Sequence, residues 1–331
     1  MRSVLAKSSL LSFPLADVAV NRYEKERRED GFIQRRVCAG ANPCVVVCKE
    51  DGSKVLLNGG PTSWLHAVTE PSSESFLKIA LTDAVYVGED TTQPRNVFVV
   101  GSQEVESDYA EHRDWVAPMS VFPALSAAEQ SLLSLALSLK QWAALTPFCA
   151  RCGSSMHSTD YGLTRACTGC KNRIYPPVVP AMIVAVLDGK GSVIMSQRLR
   201  PHKDARGKPM RTVLSGFVAQ GESMEETVVR EVLEETGARV TSLRYVGSQP
   251  WPTPYELMTC YYAVAEDSPN LVAEREELVQ VRWMAKREVA LMLAGKHPEF
   301  VTSAPTTATF PLLEAWVTGR VDDDGQPTPR L

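Results

Sequence analysis

Short runs of β-branched and aliphatic residues, broken by Gly, Pro, Ser and Asp, occupy the first third of the chain, at 45–47, 54–57, 76–81, 84–87 and 97–100. Runs of that length between turn-forming residues predict strands, so residues 1–125 read as a β-rich N-terminal domain. The pattern then lengthens. Ser126, with Glu129 three positions on, opens a capping-box helix rich in Leu and Ala through about Trp142, and residues 126–147 are read as a connecting helix. Past residue 176 strand patterns return: 182–187, a turn at Asp188-Gly189 and 193–197 predict a hairpin, and 212–214, 243–246, 257–265 and 278–284 predict further strands. Residues 286–294 and 311–317 read as closing helices. From 321 the chain turns acidic and then Pro-rich, which predicts a flexible tail over 321–331.

One helix stands apart within this pattern. The stretch from Gly216 to Ala238 reads GFVAQGESMEETVVREVLEETGA. Ser223 and Glu226 form a capping box and Gly237 is a natural C′ residue, so the helix is predicted from about Met224 to Thr236. At helical spacing Val228, Val229, Val232 and Leu233 make one apolar stripe, and Glu231, Glu234 and Glu235 fall together on the opposite side. Such acidic faces are ordinarily relieved by cations one turn away. Here Arg230 is the only basic residue between Ser223 and Thr236, with Glu226 as its expected partner. The uncompensated carboxylates are hard oxygen ligands suited to Mg²⁺ or Mn²⁺ bridging substrate phosphates.

Composition narrows the reading only in part. The 331 residues are 44% hydrophobic and 22% charged, ordinary for a globular protein, and a net charge of −4 gives no footprint for bulk nucleic-acid binding. The longest apolar run, 178–187, is interrupted by Pro180 and too short to span a bilayer, and the N-terminus lacks a signal-peptide core. Of eight cysteines, Cys149 and Cys152 form one CxxC pair and Cys167 and Cys170 another, with fourteen residues between Gly153 and Ala166 inclusive. This predicts a four-thiolate zinc ribbon over 148–175, structural because a closed tetrahedral site leaves no open position. Nucleic-acid contact through Arg151, Arg165, Lys171 and Arg173 is the alternative. Cys38, Cys44 and Cys48 read as core packing. The basic stretch 198–210 is placed near the phosphates.

Gly216, five residues, Glu222, seven residues and Arg230-Glu231-Val232-Leu233-Glu234-Glu235-Thr236-Gly237 resemble the Nudix box. Together with the Cys₄ ribbon, Tyr175-Pro176 and the run Ser248-Gln249-Pro250-Trp251-Pro252-Thr253-Pro254-Tyr255-Glu256, in that order, residues 148–316 resemble the NADH pyrophosphatase branch of the Nudix hydrolases, the NudC-like enzymes. The resemblance implies an α+β chain: a Nudix α/β/α sandwich with a mixed sheet over 176–320, preceded by the ribbon and the β-rich domain. It implies catalytic metals on Glu231, Glu234, Glu235, Glu277 and the Ser215 carbonyl. Glu231 or Glu235 would be the base, and Arg230 belongs to the same catalytic group. Tyr175 and Phe217 would sandwich a base or nicotinamide, with core packing as the other reading of Phe217. The segment from Gln249 to Glu256 would contact the dinucleotide, although Trp251 is open to a role as a packing anchor. Thr309 would offer a backbone contact.

The expected reaction is metal-dependent hydrolysis of the pyrophosphate of NAD(H) to nicotinamide mononucleotide and AMP, extending to NAD caps on RNA, by a homodimer. Thr253 stands where the family has Phe and Glu256 where it has Ser, which keeps ADP-ribose or a dinucleoside polyphosphate open as substrate. A noncatalytic zinc-ribbon binder of RNA or protein is the reading of a different class. The ending Pro329-Arg330-Leu331 partly matches the peroxisomal Ser-Lys-Leu signal, leaving peroxisome-type import and the cytosol as the two localisations.

Overall fold

A computed structural model describes residues 11, 13–15, 20–38, 42–57, 65–67, 84–93, 95–104, 114–200, 202–252, 255–266 and 270–328. The strand expected at 76–81, Thr253, Pro254 and the last three residues lie outside them, as does the side chain of Cys38. The chain divides into two compact units, one of Met1–Ala16, Val179–Pro250 and Glu256–Leu331, the other of Asp17–Val178 and Trp251–Tyr255. Among the described residues no helix is long and apolar enough to cross a membrane.

The first unit is built around the strand Val179–Leu187, whose nearly continuous apolar sequence has two faces to satisfy. Met182, Val184 and Val186 point into a core with Leu214, Val228, Val232, Tyr261 and Leu278. Ile183, Ala185 and Leu187 point into another with Met195, Leu312, Leu313 and Trp316. Each such side chain, fully buried, contributes about 1.5–3 kcal/mol, so the alternation fixes the strand's register. The strand pairs in parallel with Glu256–Ala265 and antiparallel with Leu214–Phe217. Its pairing with Ser192–Arg198 is confined to Leu187 and Val193 at the hairpin turn. The sheet order is Val240–Trp251, Glu256–Ala265, Val179–Leu187, Ser192–Arg198, Leu278–Ala285, with Leu214–Phe217 branching from Val179–Leu187. The helix Met224–Thr236 supplies Val228 and Val232 to one core, and the helices Lys286–Leu293 and Thr309–Val317 line the other. This is an α/β/α sandwich on a mixed sheet.

In the second unit a seven-stranded sheet runs Val20–Asn21, Val85–Asp90, Arg95–Gly101, Asn42–Cys48, Val55–Leu57, Asp114–Val116, with Leu65–Ala67 joining Asn42–Cys48. Cys44 and Cys48 are buried in it, as core packing requires. A helix absent from the sequence reading, Phe32–Cys38, sets Phe32 and Ile33 into the core. The connecting helix, Ala127–Leu145, carries its expected capping box and continues a turn further than the sequence suggested. The ribbon is a three-stranded sheet of Met156–Thr159, Thr164–Cys167 and Arg173–Ile174. Tyr161 of the ribbon packs on the core of the β-rich module, so the expected separation of that module, the connecting helix and the ribbon gives way to one compact unit.

Two boundaries move for physical reasons. Leu11 and Phe13 belong to the core of the first unit, with the Leu11 N–H donating to Val246 O at 3.2 Å. The flexible tail expected from residue 321 is instead folded through Thr328. Val321 is fully buried, and the Asp323 carboxylate accepts from Trp316 Nε1 at 2.8 Å and from Lys286 Nζ at 2.6 Å. Asp323→Ala leaves the buried indole N–H without a partner, and the expected cost is about 1–3 kcal/mol in chemical denaturation. An unchanged midpoint would return residues 321–328 to the status of a loose tail.

Candidate active site

The helix Met224–Thr236 forms where capping and propensity place it. Ser223 Oγ accepts from Glu226 N at 3.2 Å, the Glu226 carboxylate accepts from Ser223 N at 2.8 Å, and Gly237 closes the helix at φ 73°. Glu226 is thereby committed to the cap and not to Arg230, contrary to the spacing argument. The faces also differ from the helical-wheel reading. Val228 and Val232 are buried, but Val229 and Leu233 are exposed, and Glu235 is 7% exposed among the buried residues. Glu235 lies i+7 from Val228 and i+3 from Val232, so the face turned to the sheet carries these three side chains, and Val229 and Leu233 fall on its flank.

Arg230 organises what surrounds it. Its Nε and Nη2 donate to the two Glu222 oxygens at 2.5 and 2.9 Å, Nη1 to Glu234 at 3.0 Å and Nη2 to Phe217 O at 3.1 Å, while Nη1 lies 3.0 Å from Glu231 Oε1. The guanidinium is spent on protein, which ties the helix to the loop before it. These hydrogen bonds raise the Arg230 pKa and hold the Glu222 carboxyl down at about 2. Glu222, visible in the sequence only as one position of the box, is thus the anchor of the clamp.

Glu231 and Glu235 are then forced toward the sheet. Glu231 sits over Gly216, where a Cβ would overlap its carboxyl group. Burial pushes the Glu231 carboxyl up, with Arg230 opposing. Burial pushes Glu235 up to about 8, Glu231 and Glu277 add to the shift by like-charge repulsion, and Arg198 opposes it. Glu235 Oε2 is buried with no hydrogen-bond partner. Glu277 is exposed, in the segment that leads into the strand Leu278–Ala285; its carbonyl accepts from Leu199 N at 2.9 Å. Glu234, 56% exposed at the side chain, is held by Arg230 away from the sheet. Ser215 lies in the branch strand beside Gly216 and its Oγ accepts from Arg198 Nη2 at 3.3 Å. An orphaned buried carboxylate oxygen, like-charge repulsion on it from Glu231 and Glu277, and a glycine seat for Glu231 are the features that suit a hard divalent cation. Arg198 was legible only as part of a basic stretch.

The remaining expected site residues separate. Phe217 is 56% and Tyr175 60% exposed, so neither is spent on core packing in the described chain. Gln249 is 1% exposed, and its amide is fully used: Nε2 donates to Pro14 O and Thr306 O, both at 3.0 Å, and Oε1 accepts from Ala308 N at 2.8 Å. It clamps the N-terminal segment and the start of the helix Thr309–Val317, and Thr309 beside it is buried. Pro252 is buried; Pro250, Trp251, Tyr255 and Glu256 are half-buried. Burial raises the Glu256 carboxyl, again opposed by Arg198.

In the second unit, the sulfurs of Cys149, Cys152, Cys167 and Cys170 all lie within 4.8 Å of one another. Among the described residues no other cluster of His, Cys, Asp or Glu is drawn so close. Backbone and side-chain hydrogen bonds from Ser154 bring the Cys152 thiol down to about 6, favouring the thiolate a soft metal needs.

Residues 177–304 match the family described as the NUDIX domain. Over these residues the chain carries a NUDIX domain. The NAD-capped RNA hydrolase NudC of Enterobacter sp. (strain 638) is 40% identical over 145 residues, which are 44% of this chain and 54% of that one. The protein of the same description from Salmonella schwarzengrund (strain CVM19633) is 39% identical over the same shares. The chain spans about half the length of these curated relatives. A solved NUDIX hydrolase from Nitrosomonas europaea is 23% identical with a TM-score of 0.35, over 43% of this chain and 80% of that one. Within the Nudix domain the seat of Glu231 is the most exposed to test. Gly216→Ala is expected to leave the protein folded and to weaken divalent-cation binding by about 10-fold or more in calorimetry, because the added Cβ displaces a ligand. Unchanged affinity would show that Glu231 does not act from this seat.

Proposed function

We propose that the chain hydrolyses the pyrophosphate bond of NAD(H), as a free dinucleotide or as an RNA cap, to nicotinamide mononucleotide and AMP or its RNA-linked equivalent. The observation that carries this reading is the buried, unpartnered Glu235 Oε2 beside Glu231 and Glu277, in a Nudix domain. Glu231, Glu235, Glu277 and the Ser215 carbonyl would hold Mg²⁺ or Mn²⁺, with Glu234 joining from the exposed side of the helix. The bound cations would neutralise phosphate charge and make water a better nucleophile. The protein supplies the rest. Glu235 Oε2, buried and with no hydrogen-bond partner among the described residues, takes the proton of the attacking water once a bound cation has displaced its own. Arg230 keeps the helix fixed against the Gly216 loop, so that the base and the scissile phosphate stay aligned. Phe217, exposed, is available to stack on the base or the nicotinamide, a role that the family resemblance also gives to Tyr175.

ADP-ribose is the second reading, favoured by the half-buried carboxylate of Glu256 where NudC-like sequences carry Ser. The four-cysteine cluster is read as a structural zinc site. A homodimer rests on the family resemblance, and peroxisome-type import on the last three residues. The decisive variant is Glu235→Gln, which keeps side-chain length and removes charge and base. With Mg²⁺ and NADH, kcat is expected to fall by about 10² to 10⁴ while KM changes far less, and product masses should match nicotinamide mononucleotide and AMP. Near wild-type turnover by folded Glu235→Gln, or turnover of ADP-ribose with NADH inert, would overturn the NAD(H) assignment.

A further inference from the structure

Two arginines stand at the carboxylate nest, and they are used in opposite ways. Arg230 has every guanidinium nitrogen engaged by protein acceptors. Arg198 is exposed, and among the described residues its one side-chain hydrogen bond is to Ser215 Oγ, at 3.3 Å. A guanidinium carries five N–H donors in a planar fork, so most of this one is left for something outside the protein. The backbone aims it. Arg198 ends the strand Ser192–Arg198 at an irregularity in the ladder, Gln197 pairing with Gln280 but Arg198 with Leu278, and the Leu199 N–H is fixed on Glu277 O at 2.9 Å. Ladder irregularities beside active sites commonly re-aim a side chain. Ser215, its anchor, adjoins the glycine on which Glu231 sits. Arg198 also acts electrostatically on both Glu235 and Glu256, so its charge lies within reach of the candidate base and of the start of the strand Glu256–Ala265.

We propose that Arg198, oriented by Ser215 Oγ, is the substrate-phosphate ligand of this site, taking the pyrophosphate oxygens that the carboxylate-held cation leaves uncovered. The inference rests on the pyrophosphate reading of the Nudix domain. A planar fork with free donors suits two phosphate oxygens at once, and its anchor is a serine hydroxyl rather than a carboxylate. Arg198 is then a determinant of affinity and alignment, and Glu235 the proton acceptor.

The test uses the full chain and methylenediphosphonate, a diphosphate analogue whose carbon bridge resists hydrolysis, titrated by calorimetry with Mg²⁺ present, alongside steady-state kinetics on NADH. Arg198→Ala should weaken diphosphonate binding by about 10- to 100-fold and raise KM more than it lowers kcat. Arg198→Lys should recover part of the loss, because an ammonium restores charge but not the fork. Ser215→Ala, which removes the orienting hydroxyl and keeps the backbone carbonyl, should weaken binding by about 2- to 5-fold. Arg206→Ala is the control for loop charge: Arg206 is occupied by Asp204 at 2.9 Å and should change neither readout. Diphosphonate affinity unchanged in Arg198→Ala, or an equal loss in Arg206→Ala, would overturn the proposal. If wild type bound diphosphonate through Arg198 yet hydrolysed no dinucleotide, the proposal would stand and the NAD(H) reading would fall.

Discussion

A carboxylate pressed into a poorly solvated place beside others of its kind is the constraint to which the first unit answers. Removing a charge from water costs several kcal/mol unless it is compensated, and Glu235 finds Glu231 and Glu277 as neighbours and no hydrogen bond for Oε2. In the absence of a cation the group resolves the conflict by holding its proton. The surrounding structure makes this arrangement stable enough to persist. The capping box fixes the helix start, Val228 and Val232 bury the inner face, and Arg230 ties helix to loop through Glu222 and Phe217 O. The stability lost at one carboxylate is offset by contacts one and two turns away.

The sheet decides where that carboxylate points. Leu214–Phe217 branches from the two-faced strand Val179–Leu187, which brings Ser215 and Gly216 under the acidic helix. The same strand pairs in parallel with Glu256–Ala265, so residues far apart in sequence lie side by side in the interior of the sheet. Parallel strands buried on both faces leave little freedom to shift, and the geometry of the site inherits that rigidity. The ribbon, in the other unit, gathers its four sulfurs on turns of a small three-stranded sheet with almost no core of its own, the circumstance in which a metal commonly supplies folding energy.

What the sequence carried legibly was local. Helix ends at Ser223 and Gly237, the capping box at Ser126 and Glu129, the CxxC pairs and a strand over 182–187 all follow from spacings of a few residues, and the structure places them accordingly, starting that strand three residues earlier. What it hid depends on which face each element turns to its neighbours. A stripe drawn through Val228, Val229, Val232 and Leu233 gave Val229 and Leu233 to the core and Glu235 to the surface, whereas the buried face is Val228, Val232 and Glu235, spaced i, i+4 and i+7. Arg230 had several acids within reach, and only the fold of the preceding loop brought Glu222 to it in place of Glu226. Gln249 read as a ligand contact, yet its amide joins Pro14, Thr306 and Ala308 across long sequence separations that no local pattern reveals. The tail looked disordered by composition, and Val321, Asp323 and Gln326 each found partners that composition does not encode.

On this reading a divalent cation displaces a proton from Glu235. Calorimetric titration of metal-free protein with Mg²⁺ or Mn²⁺ at pH 7.5, repeated in buffers of different ionisation enthalpy, counts the protons released. With burial and like-charge repulsion pushing the Glu235 carboxyl up to about 8, protons should leave on binding, and Glu235→Gln should release clearly fewer. Cation binding without proton release, or the same release from Glu235→Gln, would contradict the account.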